Sequence, residues 1–186
     1  MRLARLSFVP VLGLLPLLGL GCSGAEPPTP RGAYKMNFAD PGIDCSAPGH
    51  IATLGEVTDI QKVRLVTDNE DSVSVDCSVS GSGTFAVSAV TKNPAEASEI
   101  HVKIDAISPA ATRDAPATGS ISFSSARTGG QTFYSDPATP CKFWFENKQG
   151  VDAGKIWVGF ECPAMLNEGE ICQLRLGVLA FDSCGG

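Results

Sequence analysis

Beyond residue 33, apolar and polar side chains alternate with a period of two. Val73, Val75, Cys77 and Val79 are interleaved with Ser74, Asp76 and Ser78, and Phe85, Val87 and Ala89 with smaller or polar residues. Ile100, Val102, Ile104 and Ala106 alternate with His101, Lys103 and Asp105. Such a period sends successive side chains to opposite faces, so these segments are expected to be half-buried strands. Further strands are expected over 34–38, 57–66, 119–125, 130–135, 141–147, 153–162 and 171–182, separated by breakers such as Asn93-Pro94, Asp114 to Pro116 and Gly129-Gly130. Helical periodicity is missing from the body, and Pro94 to Glu99 suits a single turn. Many short strands with frequent turns imply an all-β, antiparallel β-sandwich, a jelly roll being one connectivity it can take.

The C-terminal third implies a register. Pairing 141–147 with 153–162 so that Trp144 faces Trp157, Glu146 faces Lys155 and Lys142 faces Gly159 leaves Gly150-Val151 as the turn. Glycine is what a type II′ turn requires at its first central position. Continuing into 171–182 sets Cys162 opposite Cys172, Phe160 opposite Leu174, Val158 opposite Leu176 and Ile156 opposite Val178, which makes one apolar face. Trp144, Trp157 and Arg175 then share the other face with Lys142, Glu146, Lys155 and Glu161, beside the small Gly159 and Gly177. Paired indoles with nearby charges suit a sugar face, a cation or a protein partner, so Trp144, Trp157 and Arg175 are the candidate ligand-binding residues. Leu179 and Phe181 fall on the same face and extend the patch beneath a covering segment.

Composition limits the alternatives. With 186 residues, 43% hydrophobic and 18% charged, the chain suits one compact domain, and its 20 Gly and 13 Pro suit turns. Seven cysteines indicate an oxidising compartment or a metal, and the odd count leaves one unpaired.

The N-terminus addresses that question. Arg2 and Arg5 precede an apolar run from Leu6 to Leu20 that is interrupted by Pro10 and Pro16, too short to span a bilayer and followed by small residues, so 1–21 reads as a signal peptide. The segment Leu18-Gly19-Leu20-Gly21-Cys22 resembles the lipobox of bacterial lipoproteins, with Gly19 standing where that family prefers leucine. The resemblance implies cleavage before Cys22 and a diacylglycerol on its sulfur, with palmitate-like chains holding the protein to a membrane. Ser23, in place of the aspartate that retains many such proteins at the inner membrane, implies the outer membrane. Residues 22–33 would then be a lipidated cysteine with a Pro-rich tether, and 34–186 a single domain. Together with its cysteine-containing body, the chain is similar to uncharacterised secreted lipoproteins of myxobacteria, a resemblance that carries no activity.

On this reading Cys22 is the anchor and Cys45, Cys77, Cys141, Cys162, Cys172 and Cys184 form three bridges. The register favours Cys162–Cys172, with Cys45–Cys77 and Cys141–Cys184 as the remaining pairs. The four cysteines of those two pairs are free to exchange partners. Cys172 and Cys184, at the ends of one extended strand rising about 3.3 Å per residue, are too far apart to bond. Removing the signal leaves 12 basic against 20 acidic residues, a net charge of −8, which disfavours nucleic acid and polybasic attraction to lipid.

Motifs for chemistry are absent. No C-x-x-C, G-x-S-x-G, P-loop or H-E-x-x-H occurs, and His50 and His101 stand apart from the cysteines, so neither a metal, a cofactor nor catalytic residues are expected. His101 and Asp105 with the scattered serines specify no triad, and His101 reads as a solvent-facing strand residue. The oxygen-rich run Asp68-Asn69-Glu70-Asp71 has no EF-hand spacing and reads as a turn, as do Glu168 and Glu170. The expected function is therefore non-catalytic binding or adhesion, with a protein or carbohydrate partner. A structural or assembly component of the envelope, or a secreted hydrolase with an unrecognised site, are the alternatives.

Overall fold

A computed structural model describes residues 27–39, 45–59 and 62–185, except for the side chains of 58 and 59. Cys22 and the signal segment lie outside these residues. Strand β1 (Arg31–Ala39) is followed by β2 (His50–Leu54), a small hairpin of β3 (Glu56–Asp59) and β4 (Lys62–Arg64), and a short β5 (Val66–Thr67). Next come the long strands β6 (Ser74–Ser82), β7 (Thr84–Asn93), β8 (Ser98–Ile107) and β9 (Ala117–Ser124). The chain continues through β10 (Phe133–Ser135), β11 (Cys141–Trp144) and β12 (Gly150–Asp152) to β13 (Lys155–Asn167) and β14 (Glu170–Asp182). The fold is all-β, as the alternation required. The single turn at Pro94–Glu96 is a 3₁₀ turn capped by Asn93, whose side chain accepts from the Ala95 N–H.

One large sheet runs in the order β2-β1-β14-β13-β10-β9-β8-β7-β6. Consecutive strands are neighbours from β6 to β10, so the connectivity is a meander completed by the return of β1 beside β14, without the interleaved Greek keys of a jelly roll. The sheet folds over a shared core that includes Val75, Val87 and Val102 from the meander and Phe160, Leu174 and Phe181 from the C-terminal strands. Its far edge returns to the chain end: Gly185 N–H donates to Cys77 O and Val79 N–H to Gly185 O, both at 2.9 Å.

The meander follows the simple period. In β6 and β7, Val75, Cys77, Val79, Phe85, Val87 and Ala89 point inward, and their intervening neighbours point to solvent. The C-terminal strands depart from it. Lys142 pairs with Glu161 and Trp144 with Gly159, a slip of two residues from the expected register that preserves the faces. Gly150 and Val151 are not a turn but part of β12, paired with Trp157 and Ile156. The reversal falls instead at Ala153-Gly154, where Gly154 takes φ +79°.

Between β13 and β14 the slip changes the faces. The turn at Glu168-Gly169, with φ of +41° and +94°, sets Asn167 opposite Glu170, so Met165 faces Cys172 and Cys162 faces Leu174. Bulges between Phe160 and Cys162, and between Cys162 and Met165, displace the ladder. Consequently Leu174 stays inside while Leu176 is 58% exposed, and Leu179 and Phe181, expected on the outer face, enter the core. Gly177 allows this inversion, because a Cβ there would lie 2.4 Å from the Phe160 ring.

All three expected disulfides are replaced. The bonds are Cys45–Cys172, Cys77–Cys184 and Cys141–Cys162. Cys141 lies directly across from Cys162 once Lys142 pairs with Glu161, with Cα atoms 4.1 Å apart. The exclusion of Cys172–Cys184 stands, each bonding elsewhere. Cys77 meets Cys184 because the chain end folds back onto β6, a long-range closure invisible to local register.

Candidate functional site

The outer face of β1, β14 and β13 is covered in part by the β3–β4 hairpin. Val57 pairs with Val63 across it, so 57–66 is a hairpin and a short strand where one strand was expected. Gly55, at φ +67°, starts the hairpin where a Cβ would lie 2.4 Å from the Arg64 carbonyl oxygen. Ala33 and Ala180, both buried, keep the sheet thin beneath it. Two hollows remain between hairpin and sheet.

The smaller, about 240 Å³, is walled by Val57, Trp144 and Gly159 and rimmed by Ile51 and Leu176, which are 60% and 58% exposed. The larger, about 670 Å³, runs along Val63, Leu65, Trp157 and Ala180 and is edged by Lys148 and Lys155. Gln149 borders both.

The two tryptophans do not form a pair. Each lies on the outer face of its strand, as expected, but Trp144 packs over Gly159 and is buried, while Trp157 faces Gly150 and Ala180 and is half-buried. Trp144 is also satisfied from within. Its Nε1–H donates to Glu146 Oε1 at 2.9 Å, and the Arg113 guanidinium lies 4.8 Å from its ring centroid. The cation that an exposed indole would attract is therefore already supplied by the chain. Arg175 is exposed in a separate groove with Lys142, Glu161 and Pro163, so it does not join either indole.

Trp157 is different. Its Nε1–H and the Gln149 Nε2 are buried with no hydrogen-bond partner among the described residues. Gln149 is oriented by its other end, Oε1 accepting from the Glu146 N–H at 2.9 Å. Two unpaired donors beside an apolar groove seek acceptor oxygens, since an unmade buried hydrogen bond costs about 1–3 kcal/mol. Sequence reasoning found Trp157 through its strand position. It missed Gln149 and Arg113, which come from irregular segments without periodic signal.

The remaining polar clusters have structural duties. Asp68 Oδ1 accepts from the Val75 N–H at 2.8 Å and Glu70 Oε2 from the Thr67 N–H at 3.0 Å, so the acidic run organises its turn. Glu170 Oε1 is bound by the Ser46 hydroxyl. His101 is solvent-facing on β8, as expected, and its ring lies 2.6 Å from Glu99 Oε1. This contact, with help from Lys92, holds the Glu99 carboxyl below its usual value. In the core, burial pushes the Tyr34 phenol up to about 12, against the opposing effect of its 2.8 Å hydrogen bond to Ser98.

Three disulfides place the protein in an oxidising, extracytoplasmic setting, and no helix among the described residues is long and apolar enough to cross a membrane. No protein family, curated protein or solved structure matches the chain.

Proposed function

We propose that the protein is a lipid-anchored binding module of the outer membrane, held through Cys22 and recognising a carbohydrate chain in the groove beside Trp157. The observation that supports this reading is the pair of unpartnered donors, Trp157 Nε1–H and Gln149 Nε2, bordering an apolar groove edged by lysines. A pyranose offers what they lack: a C–H face for the indole and hydroxyl oxygens for the donors once the two buried side chains turn them into the groove. Binding of this kind involves no bond breaking in the groove. Trp144 lines the smaller hollow instead and does not touch the ligand.

The chain has two tryptophans, so Trp144→Phe leaves Trp157 as the sole indole reporter. Titrating this variant with solubilised envelope polysaccharide should give a saturable change in emission. Adding Gln149→Ala should weaken the apparent affinity about tenfold, equivalent to one lost hydrogen bond. A flat titration would remove the carbohydrate reading. The anchor is tested separately by mass spectrometry of the mature N-terminal peptide, which should begin at an acylated Cys22; an unmodified N-terminus elsewhere would remove it.

A further inference from the structure

We infer that His50 and Ser125 form a nucleophilic acyl-transfer centre at the β2 edge, separate from the Trp157 groove. His50 Nε2 lies 3.0 Å from Ser125 Oγ, and Nδ1 lies 2.8 Å from the Pro48 carbonyl oxygen. A carbonyl oxygen only accepts, so Nδ1 carries the proton. In the neutral ring Nε2 is then an acceptor, and Ser125 Oγ–H donates to it. This is the tautomer and direction of a serine nucleophile hydrogen-bonded to its general base, with a backbone carbonyl in the orienting place that a carboxylate often fills.

The pair is held rigidly. The His50 ring packs against Phe38 and Phe123, with centroids 5.3 and 6.0 Å away, and those two rings also touch each other, at 5.7 Å. Ser125 caps the Ala126–Thr128 turn, its Oγ accepting from the Thr128 N–H at 3.2 Å while Thr128 Oγ1 accepts from the Ser125 N–H at 3.0 Å. Both residues line a hollow of about 230 Å³, together with Glu96 and Arg127. This volume falls below the roughly 300–1,000 Å³ typical of small-molecule sites and limits the substrate to a small one; with a serine–imidazole pair, that substrate class is a carboxylic ester with a short acyl group. Arg127 is the cation among the lining residues, suited to the developing oxyanion.

The reaction balances without a cofactor. Ser125 Oγ attacks the ester carbonyl carbon as its proton passes to His50 Nε2, and the carbonyl electron pair moves onto oxygen. Collapse expels the alkoxide, which takes the proton from Nε2 and leaves as the alcohol. Water then attacks the acyl-serine and gives a proton to Nε2. The second collapse releases the carboxylic acid and returns that proton to Ser125 Oγ. The sum is ester plus water to acid plus alcohol.

The test treats the mature, disulfide-bonded protein with a small alkyl fluorophosphonate, mapping the adduct by peptide mass spectrometry. Labelling should fall on Ser125 and be abolished in Ser125→Ala. His50→Gln should slow it by about 100-fold or more if the imidazole is the base, with circular dichroism and the disulfide map establishing that the variant is folded. A wild-type Ser125 that resists the reagent would overturn the proposal without recourse to any variant. Labelling that persists at the wild-type rate in folded His50→Gln would also overturn it, leaving the pair a buried structural hydrogen bond.

Discussion

The meander β6–β9 and the C-terminal pair β13–β14 are built from the same kind of sequence but obey different rules. From β6 to β8 the strands keep an almost unbroken alternation, and the outward side is a plain solvent face of serines, lysines and acids. In the C-terminal pair, two bulges break the ladder, Gly177 leaves room for the Phe160 ring, and part of the outer face is covered by the β3–β4 hairpin. A regular strand presents one wet face and one dry face. An irregular one exchanges faces partway along and can bury side chains on both, which is how hollows form outside the main core. The sugar-binding groove proposed above belongs to the irregular half for this reason.

The largest expected effect concerns what joins the two halves. Cys77–Cys184 ties β6 to the end of β14 across 107 residues, whereas Cys141–Cys162 spans 21 within the C-terminal half. Loop-closure entropy assigns about 5 kcal/mol to the first and about 3 kcal/mol to the second. Paired alanine replacements compared by urea unfolding should preserve that order. A reversed order would mean that the halves are held together by packing rather than by the bond.

Tyr34 links the halves without a covalent bond, reaching from β1 to Ser98 at the start of β8. Its folded pKa of about 12 lies above the ordinary 10, so its contribution is complete below pH 10 and fades as pH rises from 10 toward 12. A two-unit shift corresponds to about 2–3 kcal/mol. Tyr34→Phe should lose this part of the alkaline stability loss, seen as a flatter unfolding midpoint against pH than wild type over that window.

A direct contrast between the halves follows from two small residues. Gly177→Ala forces a methyl against Phe160 and should cost about 1–3 kcal/mol. Ser88→Ala, on the exposed face of β7, should stay within about 0.5 kcal/mol. Equal costs in denaturant titrations would dissolve the distinction. Smallest of all, Glu99→Gln on the meander face should change stability by a few tenths of a kcal/mol, because the Lys92 and His101 partners are half in solvent. With its folded pKa lowered, the Glu99 contribution is present above the ordinary carboxyl range and is lost as pH falls through the lowered value.

The same contrast explains what was legible. Period two identified β6, β7 and β8 because the inward residues there, Thr91 and Ser98 apart, are apolar and the outward neighbours, Val90 apart, are small or polar. It located the C-terminal strands but not their register. Phe160, Cys162, Leu174, Leu176 and Val178 suit several pairings, and only the Glu168-Gly169 turn and the bulges choose among them. The disulfides inherited that error: a slip of two separates Cys141 from Cys162, and a slip of three puts Cys162 opposite Cys172. β2 went unrecognised because its inward set begins with a histidine, His50, where an apolar residue is the usual signal. The His50–Ser125 contact joins residues 75 apart and belongs to no motif.

The placement of β1 has a mechanical consequence. It lies between β14 on one side and β2 and β5 on the other, and its first residue, Arg31, is paired to Asp182. A pull on the chain entering at Pro30, directed along the strand, loads both ladders in shear, so many hydrogen bonds share the force at once instead of opening one after another. Force applied at that point would have to break both ladders together before β1 left the sheet.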